Sequence, residues 1–182
     1  MSLADLLGKF SGVRALVVGD VCLDRWCYYD PAASEPSRET GLSRVAVVST
    51  VVTPGAGGTI ANNLVALGAG RVSVLGAIGQ DGFGFEIEHA LADRKIDYSL
   101  LVASRSMQTF TYTKLINTHT GVEDLPRCDF INCSRLPADV ENQLIANFNA
   151  HFHEFDVILV SDQAETPQGG VVTEWLRDLI AD

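Results

Sequence analysis

Basic residues are scarce. The 182-residue chain has 13 Lys and Arg against 23 Asp and Glu, a net charge of −10. Nucleic-acid binders and anionic-membrane binders need a basic face, so neither class of partner is expected, though a local cationic pocket can still hold a small anion. Cysteine is scarce too: Cys22, Cys27, Cys128 and Cys133 form two C-x4-C pairs. Zinc sites more often use C-x2-C on turns, and Cys22 follows directly on a strand, so no metal site is assigned. The opening MSLADLLGKF lacks the apolar core of a signal peptide, and reduced thiols in the cytoplasm are expected. Apolar runs such as Val157–Val160 are far too short to span a membrane. Neither G-x-x-x-x-G-K-[ST] nor a clean G-x-G-x-x-G occurs, which removes the standard nucleotide fingerprints. There is no repeat, no low-complexity tract and no flexible linker.

What is present is a folded domain. At 47% hydrophobic and 20% charged the chain is too apolar for disorder. Arg14–Gly19, Val72–Ile78 and Asp156–Ser161 are short apolar runs that read as strands buried on both faces. Helical spacing lies between them. Ile60, Leu64 and Leu67 share one face; so do Phe83, Ile87, Ala90 and Leu91, and Val140, Leu144, Ile145 and Phe148. A last helix is expected to open at Thr166-Pro167 as N-cap and N1, with Val172, Trp175, Leu176 and Leu179 on its apolar face. Alternation of strand and helix predicts a parallel α/β sheet. Two stretches fall outside it. Residues 44–53 are β-branched without helical period, and residues 109–117 alternate strictly, as in a half-exposed antiparallel strand. A second, small sheet absorbs both. The final helix runs into Ala181-Asp182 without a Gly cap and with negative charge at its negative end, which points to the first part of a longer fold.

In open α/β sheets ligands bind beyond the carboxyl ends of the strands. Gly19-Asp20 with Asp24 follows the first strand, and Ser161-Asp162 closes the third. Ionised carboxylates only accept, which suits sugar hydroxyls, although a lone strand-end Asp is more often a turn or helix cap. Pro54-Gly-Ala-Gly-Gly-Thr-Ile-Ala-Asn62 places glycines before a helix, where backbone N–H groups and the helix dipole can meet a ligand; tight turns are the commoner explanation. Asp81 is expected to cap the helix that follows Gly82. Asp124 and Arg127, flanking Pro126, read as a solvated loop pair.

Taken together, Leu-Val-Val-Gly19-Asp20-Val-Cys-Leu-Asp24, Gly57-Gly58-Thr-Ile-Ala61-Asn62 and Val-Leu-Gly76-Ala-Ile-Gly79-Gln-Asp81-Gly-Phe-Gly84 resemble the ribokinase/PfkB family of carbohydrate kinases. The opening and Ser161-Asp162 look most like its heptose-phosphate kinase branch. The resemblance implies a ribokinase-like, Rossmann-type three-layer α/β sandwich with a small β-sheet lid, its strands near 44–53 and 109–117. It implies sugar or sugar-phosphate binding by Asp24, Gly57, Gly58, Asn62 and Asp162. Lys114 matches a basic lid position, read here as an exposed lysine. Residues 1–182 would be the N-terminal part of a single domain whose C-terminal part is missing, with a homodimer through the lid as a further partner.

The family's second motif, Gly-Ala-Gly-Asp, supplies the general base and the anion hole, and it is absent here. No catalytic residue is therefore assigned. The expected function is the sugar-binding portion of an ATP-dependent carbohydrate kinase, inactive alone, with ATP and Mg²⁺ belonging to the complete enzyme. The alternative is a non-catalytic sugar-binding or assembly module.

Overall fold

The structure is a computed structural model and describes residues 3–181; the expectation at Asp182 lies outside the described residues. A short helix α1 (Leu3–Gly8) precedes β1 (Arg14–Gly19), β2 (Val21–Tyr29) and β3 (Val47–Ala56). Then come α2 (Gly57–Ala66), β4 (Arg71–Leu75), β5 (Ala77–Gly79), α3 (Gly82–Asp93) and β6 (Val102–Ser104). The chain continues through β7 (Thr111–Asn117), β8 (Cys128–Phe130), α4 (Ala138–His151), β9 (Val157–Ser161) and α5 (Glu174–Ala181).

The central sheet is parallel, in the order β4-β1-β9. Side chains alternate across β1. Leu16 and Val18 pack with Val140, Leu144 and Phe148 of α4 and Leu176 of α5, while Val17 packs with Ala61 of α2 and Ile87 and Leu91 of α3. Helices on both faces make the three-layer sandwich that the apolar runs predict. The middle run breaks at Gly76 into β4 and β5, and β5 pairs in parallel with β6. At the sheet edge, β9 leaves Val157 and Val160 40% and 45% exposed, so it is not buried on both faces.

A four-stranded sheet, β3-β2-β7-β8, stands beside this core. Three points depart from expectation. β2 is a full strand separated from β1 by Asp20 alone, and it lies in the second sheet rather than in a strand-end loop. β7 runs parallel to β2 and antiparallel only to β8. The last helix starts at Glu174, not at Thr166, with Thr173 Oγ1 accepting from Leu176 N at 3.2 Å. The segment before it is held as a loop: Thr166 Oγ1 takes the Gly169 amide, and Val171 N donates to Asp20. Trp175, expected on the buried face, is 60% exposed.

Asp20 is 3% exposed and ties these parts together. Its Oδ2 accepts from Gln163 N and Ala164 N at 2.7 and 2.8 Å, and its Oδ1 from Val171 N at 2.8 Å. Its own N–H donates to Ser161 O, and its carbonyl accepts from Gly57 N. The approach of β1 to β9 here needs Gly19, whose φ of +134° and contact with Ser161 O leave no room for a Cβ. Asp81 does the same at the other end. It caps α3 through Gly84 N at 2.7 Å, as expected, and accepts from Thr109 N and Thr109 Oγ1 at 2.9 Å each.

Asp97 joins Arg71 and Ser73 of β4 to the turn after α3. Burial alone raises the Asp97 carboxyl; hydrogen bonds from Ser99, Arg71 and Ser73 outweigh that and push it down to about 2. A depressed carboxyl stabilises the fold above its ordinary value and loses that contribution as pH falls through the folded value. With the side chain a third exposed, screening leaves a contribution of ~1 kcal/mol. Between pH 5 and pH 2.5, urea denaturation should therefore show the parent losing about 1 kcal/mol more stability than Asp97→Asn; equal losses would contradict the assignment.

Candidate functional site

The carboxyl ends of β1 and β9 meet the start of α2. A Cβ on Gly57 would sit 2.8 Å from Asp20 O and 3.5 Å from the Ser161 side chain. The N-cap of α2, Ala56, has φ of 51° and offers no side-chain acceptor. Gly57 N is spent on Asp20, so the following first-turn amides point out of the helix end with its partial positive charge. Beside them, Ser161 is 2% exposed and its hydroxyl has no hydrogen-bond partner among the described residues. Buried hydroxyls are nearly always satisfied, so this one is a group with capacity to spare.

The second sheet supplies the facing wall. Residues two apart share a face, and register fixes which. Asp24 lies opposite Thr53 and Tyr112, Cys22 opposite Gly55, and Trp26 opposite Val51 and Lys114, while Tyr112 lies opposite Asp129. One face thus carries Cys22, Asp24, Trp26, Tyr112, Lys114 and Asp129. The other carries Leu23, Arg25, Thr111 and Phe130 and packs on α3, where Arg25 pairs with Glu86 at 3.0 Å.

On the first face, Lys114 Nζ is 3.5 Å from Asp24 Oδ1 and 4.0 Å from the centre of the Trp26 ring. The side chain is only 19% exposed, so Lys114 is not the solvated lysine expected. Arg127 stacks over Tyr112 and pairs with Asp129 at 2.7 Å and with Glu165 at 3.5 Å. It does not pair with Asp124, which instead accepts from Tyr29 and Asn117. Burial, then the charges of Asp24 and Asp20, push the Cys22 thiol up to about 12. Burial, then the charges around Cys22, Glu165, Asp129 and Asp20, push the Tyr112 phenol up to about 12. Both groups stay protonated at neutral pH, so Cys22 is a hydrogen donor rather than a nucleophile.

The residues singled out from sequence fall in two places. Asp24 adjoins Gly55, whose added Cβ would meet Asp24 and Cys22, and Cys22 in turn feels Asp20, which holds Gly57. Gly57 and Gly58 are the buried first residues of α2, and Asn62 is half-buried one turn on, its side chain free of hydrogen bonds to described residues. Asp162 is apart: its side chain is 54% exposed, 4.0 Å from Arg177 of α5, in a groove beside Trp175. Cys22, Tyr112, Arg127 and Asp129 were not singled out as binding residues. Their signal was the register of β2, which the sequence does not display as a strand. Cys22 and Cys27 stand five apart on β2, hence on opposite faces, and cannot share a metal. Among the described residues, no three His, Cys, Asp or Glu side chains group to hold an ion.

No family model matches the chain. The bifunctional protein HldE of Geobacter sulfurreducens is 33% identical over 171 residues, 94% of this chain and 33% of that protein. The bifunctional protein HldE of Caulobacter sp. strain K31 is 37% identical over 174 residues, with the same shares. The chain thus spans about a third of the length of these curated relatives. Among solved structures, phosphofructokinase-2 from Escherichia coli in complex with fructose-6-phosphate superposes with a TM-score of 0.60 at 20% identity, over 93% of this chain and 50% of that one. Ribokinase from Cryptococcus neoformans var. grubii serotype A in complex with ADP superposes with a TM-score of 0.51 at 19% identity, over 93% and 44%. Sequence and fold agree: the chain is similar over 94% of its length to part of the HldE proteins, and it has the ribokinase-like fold of these solved kinases.

Proposed function

We propose that this chain is the sugar-binding portion of an ATP-dependent carbohydrate kinase and that alone it does not transfer a phosphoryl group. Supporting this is one juxtaposition: the Asp24 carboxylate on the second sheet lies against Gly55, two residues before the start of α2, where Gly57 in turn lies against the Ser161 side chain. A sugar needs acceptors for its hydroxyl hydrogens and donors for its oxygens. Asp24 supplies the first; the α2 amides beyond Gly57, Asn62 and Ser161 supply the second. The second sheet acts as the lid, with Lys114 and Arg127, now paired with Asp24, Asp129 and Glu165, as the inner-face cations that a sugar phosphate would meet. Asp162 has a lesser claim, given its place beside Arg177.

Phosphoryl transfer needs a base and preorganised donors for the moving group. The sequence has no Gly-x-Gly-Asp, and the Asp20 carboxylate is already committed to three backbone amides. ATP and Mg²⁺ are accordingly assigned to the complete kinase and to no residue of this chain. A cytoplasmic location goes with this reading; among the described residues no helix is long and apolar enough to cross a membrane.

The second reading, an assembly module, draws on β3. It is an edge strand with Val47, Val48 and Val51 exposed, the kind of edge that pairs with another chain. A homodimer through the lid fits both readings.

Calorimetry with ribose, fructose 6-phosphate and sedoheptulose 7-phosphate tests the proposal. At least one should bind, and Asp24→Asn should weaken it by about tenfold or more, with no ATP-dependent turnover. No binding, or binding indifferent to Asp24→Asn, would leave the assembly reading alone standing. Turnover that Asp24→Ala abolishes would overturn the claim that the chain is inactive alone.

A further inference from the structure

The opposite face of the second sheet borders a cavity of about 1080 Å³ that the sugar reading does not use. None of Asp24, Gly57, Gly58 or Asn62 lines it. It lies between the start of α3, the loop before β7 and the segment joining β8 to α4. One part of its wall is apolar: Phe83 and Phe130 meet edge to face with centroids 4.8 Å apart, with Met107 and Leu136 also lining the cavity. This volume suits a small organic ligand.

Charge selects the class of ligand. Two acids line the cavity, and both are committed. Glu86 is paired with Arg25, and Asp81 accepts from Thr109 and Gly84. Two arginines line it as well, Arg105 and Arg135, and both are exposed. Arg105 Nε donates to Gln80 Oε1 at 3.1 Å, and neither guanidinium pairs with a carboxylate among the described residues. In a chain of net charge −10, two cations without acidic partners among the described residues line one cavity. Below them the floor is fixed: Asn132 and Gln108 exchange two hydrogen bonds, Gln108 N to Asn132 Oδ1 at 3.1 Å and Asn132 Nδ2 to Gln108 O at 2.8 Å.

We propose that this cavity is a second ligand site, for a small aromatic anion whose ring lies against Phe83 and Phe130 and whose acidic group meets Arg105 and Arg135. Bidentate guanidinium recognition suits a carboxylate, sulfonate or phosphate, and an apolar wall beside it raises the cost of leaving the charge unpaired. The site is independent of sugar binding, because it lies on the other face of the sheet.

The probe is 8-anilinonaphthalene-1-sulfonate, with the neutral N-phenyl-1-naphthylamine as comparison. Titration of ¹⁵N-labelled protein should move amides within 80–86, 105–108 and 130–137. The double variant Arg105→Ala/Arg135→Ala, whose lost side chains are exposed, should keep its melting temperature and bind the sulfonate about tenfold more weakly. Asp24→Asn should bind it as the parent does. Absence of binding, amide shifts centred elsewhere such as along β3, equal affinity for the neutral probe, or an unchanged affinity in the double variant would each overturn the proposal.

Discussion

A carboxylate removed from water must find donors, and Asp20 finds three backbone N–H groups within 2.8 Å. Hydrogen bonds to an ionised group are worth roughly 1.5–3 kcal/mol each, and a donor left buried without its partner costs a similar amount. Two further backbone bonds at the same residue join β1 to Ser161 and to Gly57. One residue therefore fixes the end of β1, the end of β9, the start of α2 and the loop that precedes α5. Since it is also the sole link between β1 and β2, it sets where the second sheet leaves the core.

The site inherits its geometry from that joint. β2 begins at Val21, so Cys22 and Asp24 fall on the face beside Gly55, and Leu23 and Arg25 on the face that packs on the core, where Arg25 meets Glu86 of α3. Asp81 holds the neighbouring strand from the other side, since Thr109 leads directly into β7 and so positions Tyr112 and Lys114. The two faces then diverge in chemistry: one polar and charged with donors and acceptors to offer, the other aromatic beside two guanidinium groups that have no carboxylate partner among the described residues.

Much of this was legible in the residues. Arg14–Gly19 was a strand as read, because the five buried positions Ala15–Gly19 in a row leave no solvent-facing side. The helical spacings of α3 and α4 and the Asp81 cap were equally direct. What escaped was non-local. Val21–Tyr29 mixes Cys, Asp, Trp and Arg across both faces, since each face meets a different polar partner, so no period-2 contrast marks it. The direction of β7 depends on its neighbour and not on its own alternation. Thr166-Pro167 has the chemistry of a helix start, but Asp20, 151 residues away from Val171, claims the amide that a helix would use. Asp20 stood among the strand-end carboxylates without a role of its own, and its three amide donors make it a structural one.

The most direct measurement is amide hydrogen exchange in Asp20→Asn, where the new NH₂ group faces donors instead of accepting from them. Gln163, Ala164, Val171 and Gly57 should lose protection by at least about tenfold, ~1.4 kcal/mol, while Gly84 and Thr109, held by Asp81, keep theirs. Unchanged protection at the first four amides would show that Asp20 does not hold the joint, and the orientation derived for the site would lose its foundation.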